Sequence, residues 1–150
     1  MARSVRQLLD AAREFHHQLS VFYTEVGEET EESRVKLLLD YMSRHEENLE
    51  NSLEAYEEQA GQNVLERWMK FTPDAPGDDL LSDIEIHPEM SVDEVIDMAM
   101  EFDERLITFY RQISESTTVP AVRQLFSNLV EQEEAEEHMA ARVAIEADSY

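Results

Sequence analysis

Five residues of this chain combine ligand chemistry with an inward-facing helical position: His16, Glu46, Asp103, Glu133 and Glu136. A helix turns about 100° per residue, so a position four along from the centre of an apolar stripe lies only about 40° round from it. His16 stands in that relation to Ala12, the centre of the first stripe, whereas Glu14 and His17 point outward. Glu46 stands in the same relation to Met42, with His45 on the stripe's edge. Asp103 continues the ladder between Met100 and Leu106. Glu133 and Glu136 fall inside the stripe centred on Leu129, while His138 faces away. No Lys or Arg takes an inward position beside them. Buried carboxylates without a counter-charge cost several kcal/mol each or take up protons. A divalent or trivalent cation removes that conflict, because hard metals favour carboxylate and imidazole donors. The alternative is a hydrated or protonated polar layer, hydrogen-bonded to Tyr23 and Tyr110. With 35 acids in 150 residues, any one inward Glu decides little.

Four helices must position these side chains. Ser4 with Gln7 reads as a capping box, and Val5, Leu8, Ala12, Leu19 and Phe22 then recur at helical spacing, with Gly27 as the stop. A second pattern runs from about 30 to 60 through Val35, Leu38, Met42, Leu49, Leu53 and Tyr56, and Gly61 ends it. Ser91 with Glu94 opens a third helix through Ile96, Met100, Leu106, Tyr110 and Ile113. The fourth starts near 117–120, where Pro120 suits a first turn, and carries Val122, Leu125, Leu129, Met139 and Val143. Between the pairs, NVLERWMKF predicts a short helix, with Trp68, Met69 and Phe71 forming a lid over the core or, as the alternative, an apolar interface, and TPDAPGDD a turn-rich connection. The expected organisation is a single all-α domain over 1–150: a hairpin at 4–60, a crossover at 61–90 and a hairpin at 91–146. That is a four-helix bundle with one long crossover.

The two hairpins repeat each other. EFHHQLSVFY at 14–23 and EFDERLITFY at 101–110 share their ends at an offset of 87. The same offset carries Val35 to Val122, Leu38 to Leu125, Leu39 to Phe126, Met42 to Leu129 and Glu46 to Glu133. A pseudo-twofold relation between the halves is expected. At its centre the frame changes its polar residue, His16 for Asp103.

Composition narrows the function classes. The formal net charge of −23 disfavours nucleic acid and anionic membrane as partners and draws in cations. There are no cysteines, so disulfides, thiolate zinc sites and iron–sulfur clusters are excluded. The charged N-terminus MARSVRQLLDAAREF does not read as a secretion signal, and no apolar run reaches membrane-spanning length, so a cytoplasmic location is expected. No nucleophile motif or glycine-rich phosphate loop is present, and His87-Pro88 reads as a turn.

The pattern resembles the rubrerythrin-like branch of the ferritin-like superfamily. In that family the first helix of each hairpin carries a ligand seven residues before a Tyr, and the second carries Glu-x-x-His after an apolar pair. Phe22-Tyr23 and Phe109-Tyr110 place His16 and Asp103 at the first-helix positions. Leu38-Leu39 and Leu125-Phe126 place Glu46 and Glu133 at the Glu positions, leaving Leu49 and Glu136 where the histidines would stand. The resemblance covers all four helices but not the 61–90 link. It implies a ferritin-like bundle binding iron or manganese, with Glu46 and Glu133 as bridging ligands and His16, Asp103 and Glu136 as terminal ones. Oxidase, peroxidase or iron-handling chemistry would follow, with an external redox partner and a possible homodimer. Neither Glu-x-x-His is intact, so a lopsided site is expected, and a metal-free scaffold or interaction protein is the alternative.

Overall fold

The computed structural model describes residues 2–70, 72–74, 76 and 89–148, with side chains described as far as 137. Phe71, His87, Pro88 and the side chains of His138, Met139 and Val143 lie outside the described residues. The architecture is an all-α bundle of two hairpins. Helix α1 spans Val5–Glu29 and α2 Ser33–Gln59; a short α3 spans Gln62–Leu65; α4 spans Val92–Ser116 and α5 Pro120–Asp148.

Local chemistry sets the helix ends. Ser4 and Ser91 each accept from the backbone N–H three residues on, and Gln7 and Glu94 return the bond to the cap. At the other ends Thr30 and Thr117 leave the helix in extended conformation, their N–H groups donating to Val26 and Ile113. Pro120 occupies the first turn of α5, where a missing N–H costs nothing. Adding 87 to the bounds of α1 gives those of α4, and adding it to Ser33 gives Pro120, the two starts of the second helices.

The core is one cluster drawn from all the long helices. Phe102 of α4 meets Phe15 and Phe22 of α1 edge-on, with centroids 6.4 and 5.7 Å apart. Such edge-to-face pairs add about 1 kcal/mol beyond their burial. Leu8, Leu19, Leu39, Leu106 and Phe126 are wholly enclosed around them. Pairing within each hairpin is antiparallel, as the three-residue connections demand.

Several sequence expectations are corrected. Gly27 does not stop the first helix; α1 continues to Glu29 because the chain exits only at Thr30, which is buried. Tyr56 and Met100 keep the helical period but are 38% exposed, since the opposing helices no longer cover those turns. Trp68 is no lid. It stands in a two-residue strand, β2 (Trp68–Met69), paired antiparallel with β1 (Arg3–Ser4), and strand alternation turns Met69 inward and Trp68 outward. The predicted helix over NVLERWMKF is confined to α3.

Gly27 now sits inside a helix, where its flexibility is a cost. A methyl group there would meet Leu39 Cβ at 3.7 Å, an ordinary contact. Gly27→Ala is therefore expected to stabilise the fold by about 0.5–1 kcal/mol, read from denaturant midpoints.

Candidate metal centre

Four helices deliver polar side chains to one buried layer. The α1/α2 seam builds its first half. His16 Nδ1 lies 2.5 Å from Oε2 of Glu46, and both side chains are almost fully buried. One turn further along α1, Ser43 donates to the carbonyl of Ser20 at 2.8 Å and meets Thr24 Oγ1 at 2.7 Å. Sequence reasoning missed this hydroxyl seam. Its only signal is Ser43 beside the stripe centre Met42, and at the 87-residue offset Ser20 and Ser43 become Ile107 and Val130. The first hairpin is thus locked in register by polar contacts where the second is apolar.

The other half comes from α4 and α5. Glu133 Oε1 lies 3.2 Å from His16 Nε2. That oxygen sits off the nitrogen's hydrogen-bonding direction, and Nε2 has no hydrogen-bond partner among the described residues. Asp103 is largely buried and faces Glu46, Glu133, Glu137 and His16. Glu136, at the layer's edge, is 28% exposed and lies 3.4 Å from His45 Nε2. The hydroxyls of Tyr23 and Tyr110 are buried without a hydrogen-bond partner among the described residues. Their electrostatic neighbours are Glu46 with Asp103, and Glu133 with Glu46.

The structure therefore brings His16, Glu46, Asp103 and Glu133 together and leaves Glu136 at the rim with His45. It also corrects one expectation: a basic group does stand among the acids, and it is His16 itself. Burial alone would lower the His16 pKa, but Glu46 and Glu133 outweigh it and push the imidazole up to about 10. Burial first, then Glu46, Glu133 and Glu137, pushes Asp103 up to about 9. Burial and the neighbouring carboxylates hold both tyrosines as neutral phenols.

The sign of the pH effect follows. Both groups titrate higher in the folded protein than unfolded, His16 from 6.5 to about 10 and Asp103 from 3.8 to about 9. The folded state binds more protons across those windows, so stability present at lower pH is lost as pH rises through the folded values. Metal-free protein should melt lower at pH 9 than at pH 7. In Asp103→Asn, which needs no proton, the difference should shrink; a pH-independent melt would contradict the assignment.

No protein-family profile matches the chain, and no curated protein is found similar to it. A solved structure does match: a Thermotoga maritima protein provisionally described as a ferritin-like diiron-carboxylate protein. It aligns with a TM-score of 0.63 at 14% identity, over 97% of each chain. The fold is ferritin-like. At that identity the likeness concerns the ferritin-like fold alone, and the site must be judged on its own donors.

Judged so, the layer offers one pair of donors at the spacing of two ligands on one ion. Two ligands at right angles on one ion, each about 2.1 Å from it, stand about 3 Å apart. His16 Nε2 and Glu133 Oε1, 3.2 Å apart and without a hydrogen bond between them, stand at about that spacing. The α2 side is the poorer in donors: Leu49 offers no lone pair, and Glu46 Oε2 is engaged by His16 Nδ1. Among the described residues no three His, Asp or Glu side chains are already gathered tightly enough to hold a metal.

Proposed function

We propose that this ferritin-like chain is a metal-binding protein whose buried polar layer takes one transition-metal ion, iron or manganese. The observation that carries the reading is the buried His16 Nε2, 3.2 Å from the carboxylate of Glu133 and, among the described residues, without a hydrogen-bond partner, in a layer whose tyrosine hydroxyls likewise have none there. A ring nitrogen enclosed in this way costs free energy unless something binds it. His16 and Glu133 would hold the ion, with Asp103 as the third donor and Glu136 as a fourth recruited from the rim. Tyr23 and Tyr110 would orient carboxylate oxygens or a bound water.

In such a site the ion would supply Lewis acidity and, for iron or manganese, one-electron redox capacity. The residues contribute the rest. The acids supply negative charge that favours a higher-valent cation. Turnover, with an oxidase or peroxidase character, would need an electron donor from outside the chain, because no cysteine is available for a redox centre of its own.

A metal-free layer is the second reading, favoured by the contacts of His16 with both Glu46 and Glu133 and by the lack of a gathered three-donor group among the described residues. Elemental analysis separates the two. After anaerobic reconstitution with Fe(II), or with Mn(II), and desalting, about one ion per chain is expected. Protein that retains none after both treatments would leave only the scaffold.

A further inference from the structure

We propose that Glu46 acts as the orienting partner of His16 rather than as a metal ligand, which makes the centre mononuclear and seats its ion against the α5 side. The inference rests on the metal-binding reading above. Nδ1 of His16 is committed to Glu46 at 2.5 Å, while Nε2 is the nitrogen left without a hydrogen-bond partner. Carboxylate on one nitrogen and open lone pair on the other is the arrangement in which a carboxyl group fixes the tautomer of a ligating histidine. With Nδ1–H donating to Glu46, an ion that displaces the Nε2 proton meets the ring's lone pair at Nε2, beside Glu133.

The surroundings restrain Glu46 in that role. It enters from α2, whose register against α1 is held by the Ser43 contacts with Ser20 and Thr24, so the Glu46–His16 pair forms with the hairpin. One turn on, Leu49 gives α2 no further donor, and the next polar group there, Glu50, pairs with exposed His17 at 3.3 Å. In the second hairpin the corresponding turn keeps Glu133 and Glu136 on one helix, opposite Asp103. Donors of the two halves are thus unequal, and the His16 ring bridges them: one nitrogen to α2, the other to the ion.

The test compares Glu46→Gln, Glu46→Leu and Glu133→Gln with wild type, using Mn(II) as the probe. Stoichiometry is read by elemental analysis, affinity by titration, and nitrogen coordination by hyperfine coupling in the Mn(II) spin-resonance spectrum. Wild type should bind one ion with imidazole nitrogen coupling. Glu46→Gln keeps an acceptor for Nδ1–H and should still bind one ion, with the coupling intact and affinity about 10-fold weaker; Glu46→Leu should weaken it about 100-fold. Glu133→Gln should lose the ion or nearly so. Two ions in wild type, falling to one or none in Glu46→Gln, would make Glu46 a ligand and overturn the proposal while leaving metal binding intact. A wild type that binds no ion overturns both. Wild-type stoichiometry decides the point even if a variant fails to fold.

Discussion

Saturating Mn(II) is expected to raise the melting temperature of the wild-type protein by roughly 5–10 °C and to leave Glu133→Gln unmoved. Free ion at a hundred times its dissociation constant stabilises the folded state by about 2.7 kcal/mol, provided the unfolded chain does not bind it. A kcal/mol corresponds to roughly 2–4 °C for a chain of this length. The size of the effect comes from what the ion relieves: an unpaired ring nitrogen and a set of acids that otherwise must hold protons. Because the chain carries 35 acids, weak binding to the surface is certain to occur. The control is therefore Glu133→Gln, which removes one charge from the layer and leaves the surface as it was. Thermal melts with and without a chelator check it; equal shifts in wild type and variant would assign the stabilisation to the surface.

His16→Leu in metal-free protein is the second large effect. It should cost about 3–5 kcal/mol near neutral pH, because breaking a buried ionic group by removing one partner leaves the remaining charges uncompensated. His16 is 1% exposed and, among the described residues, is the basic side chain that faces Asp103, Glu46 and Glu133. The loss should be larger at pH 5 than at pH 7.5, because the stability His16 contributes is fully present below its unfolded value of 6.5 and falls away as pH rises toward about 10, and that pH dependence separates charge from packing. A cavity alone would cost the same at both values. Denaturant unfolding of wild type and variant at pH 5 and pH 7.5 distinguishes them.

The parts of this molecule that follow from local chemistry were readable from the sequence. The capping boxes at Ser4 and Ser91 begin helices where the spacing of Gln7 and Glu94 says they should, and Pro120 opens the last one. The inward direction of His16, Glu46 and Glu133 followed from helical phase, because a buried stripe fixes azimuth to within a residue or so. Azimuth says nothing about the ring's rotation or about which atom meets which helix. The decisive feature, Nδ1 against α2 and Nε2 against α5, depends on how three helices sit together, and no periodicity encodes it. Gly27, Tyr56, Met100 and Trp68 mislead for a related reason. A helix passes through Gly27 because the exit is held at Thr30; the stripe runs out of partners at Tyr56 and Met100; and Trp68 alternates with Met69 on a strand too short to leave a pattern. Glu136, inside the stripe by phase, stands at the rim of the layer, where His45 of α2 meets it.

The most direct measurement is an anomalous-scattering map from crystals of the reconstituted protein, collected at the iron or manganese edge. One peak per chain is predicted, within about 2.3 Å of His16 Nε2 and bonded to Glu133, with Glu46 still on Nδ1. A map with no peak in the bundle, and His16 still held between Glu46 and Glu133, would contradict the account.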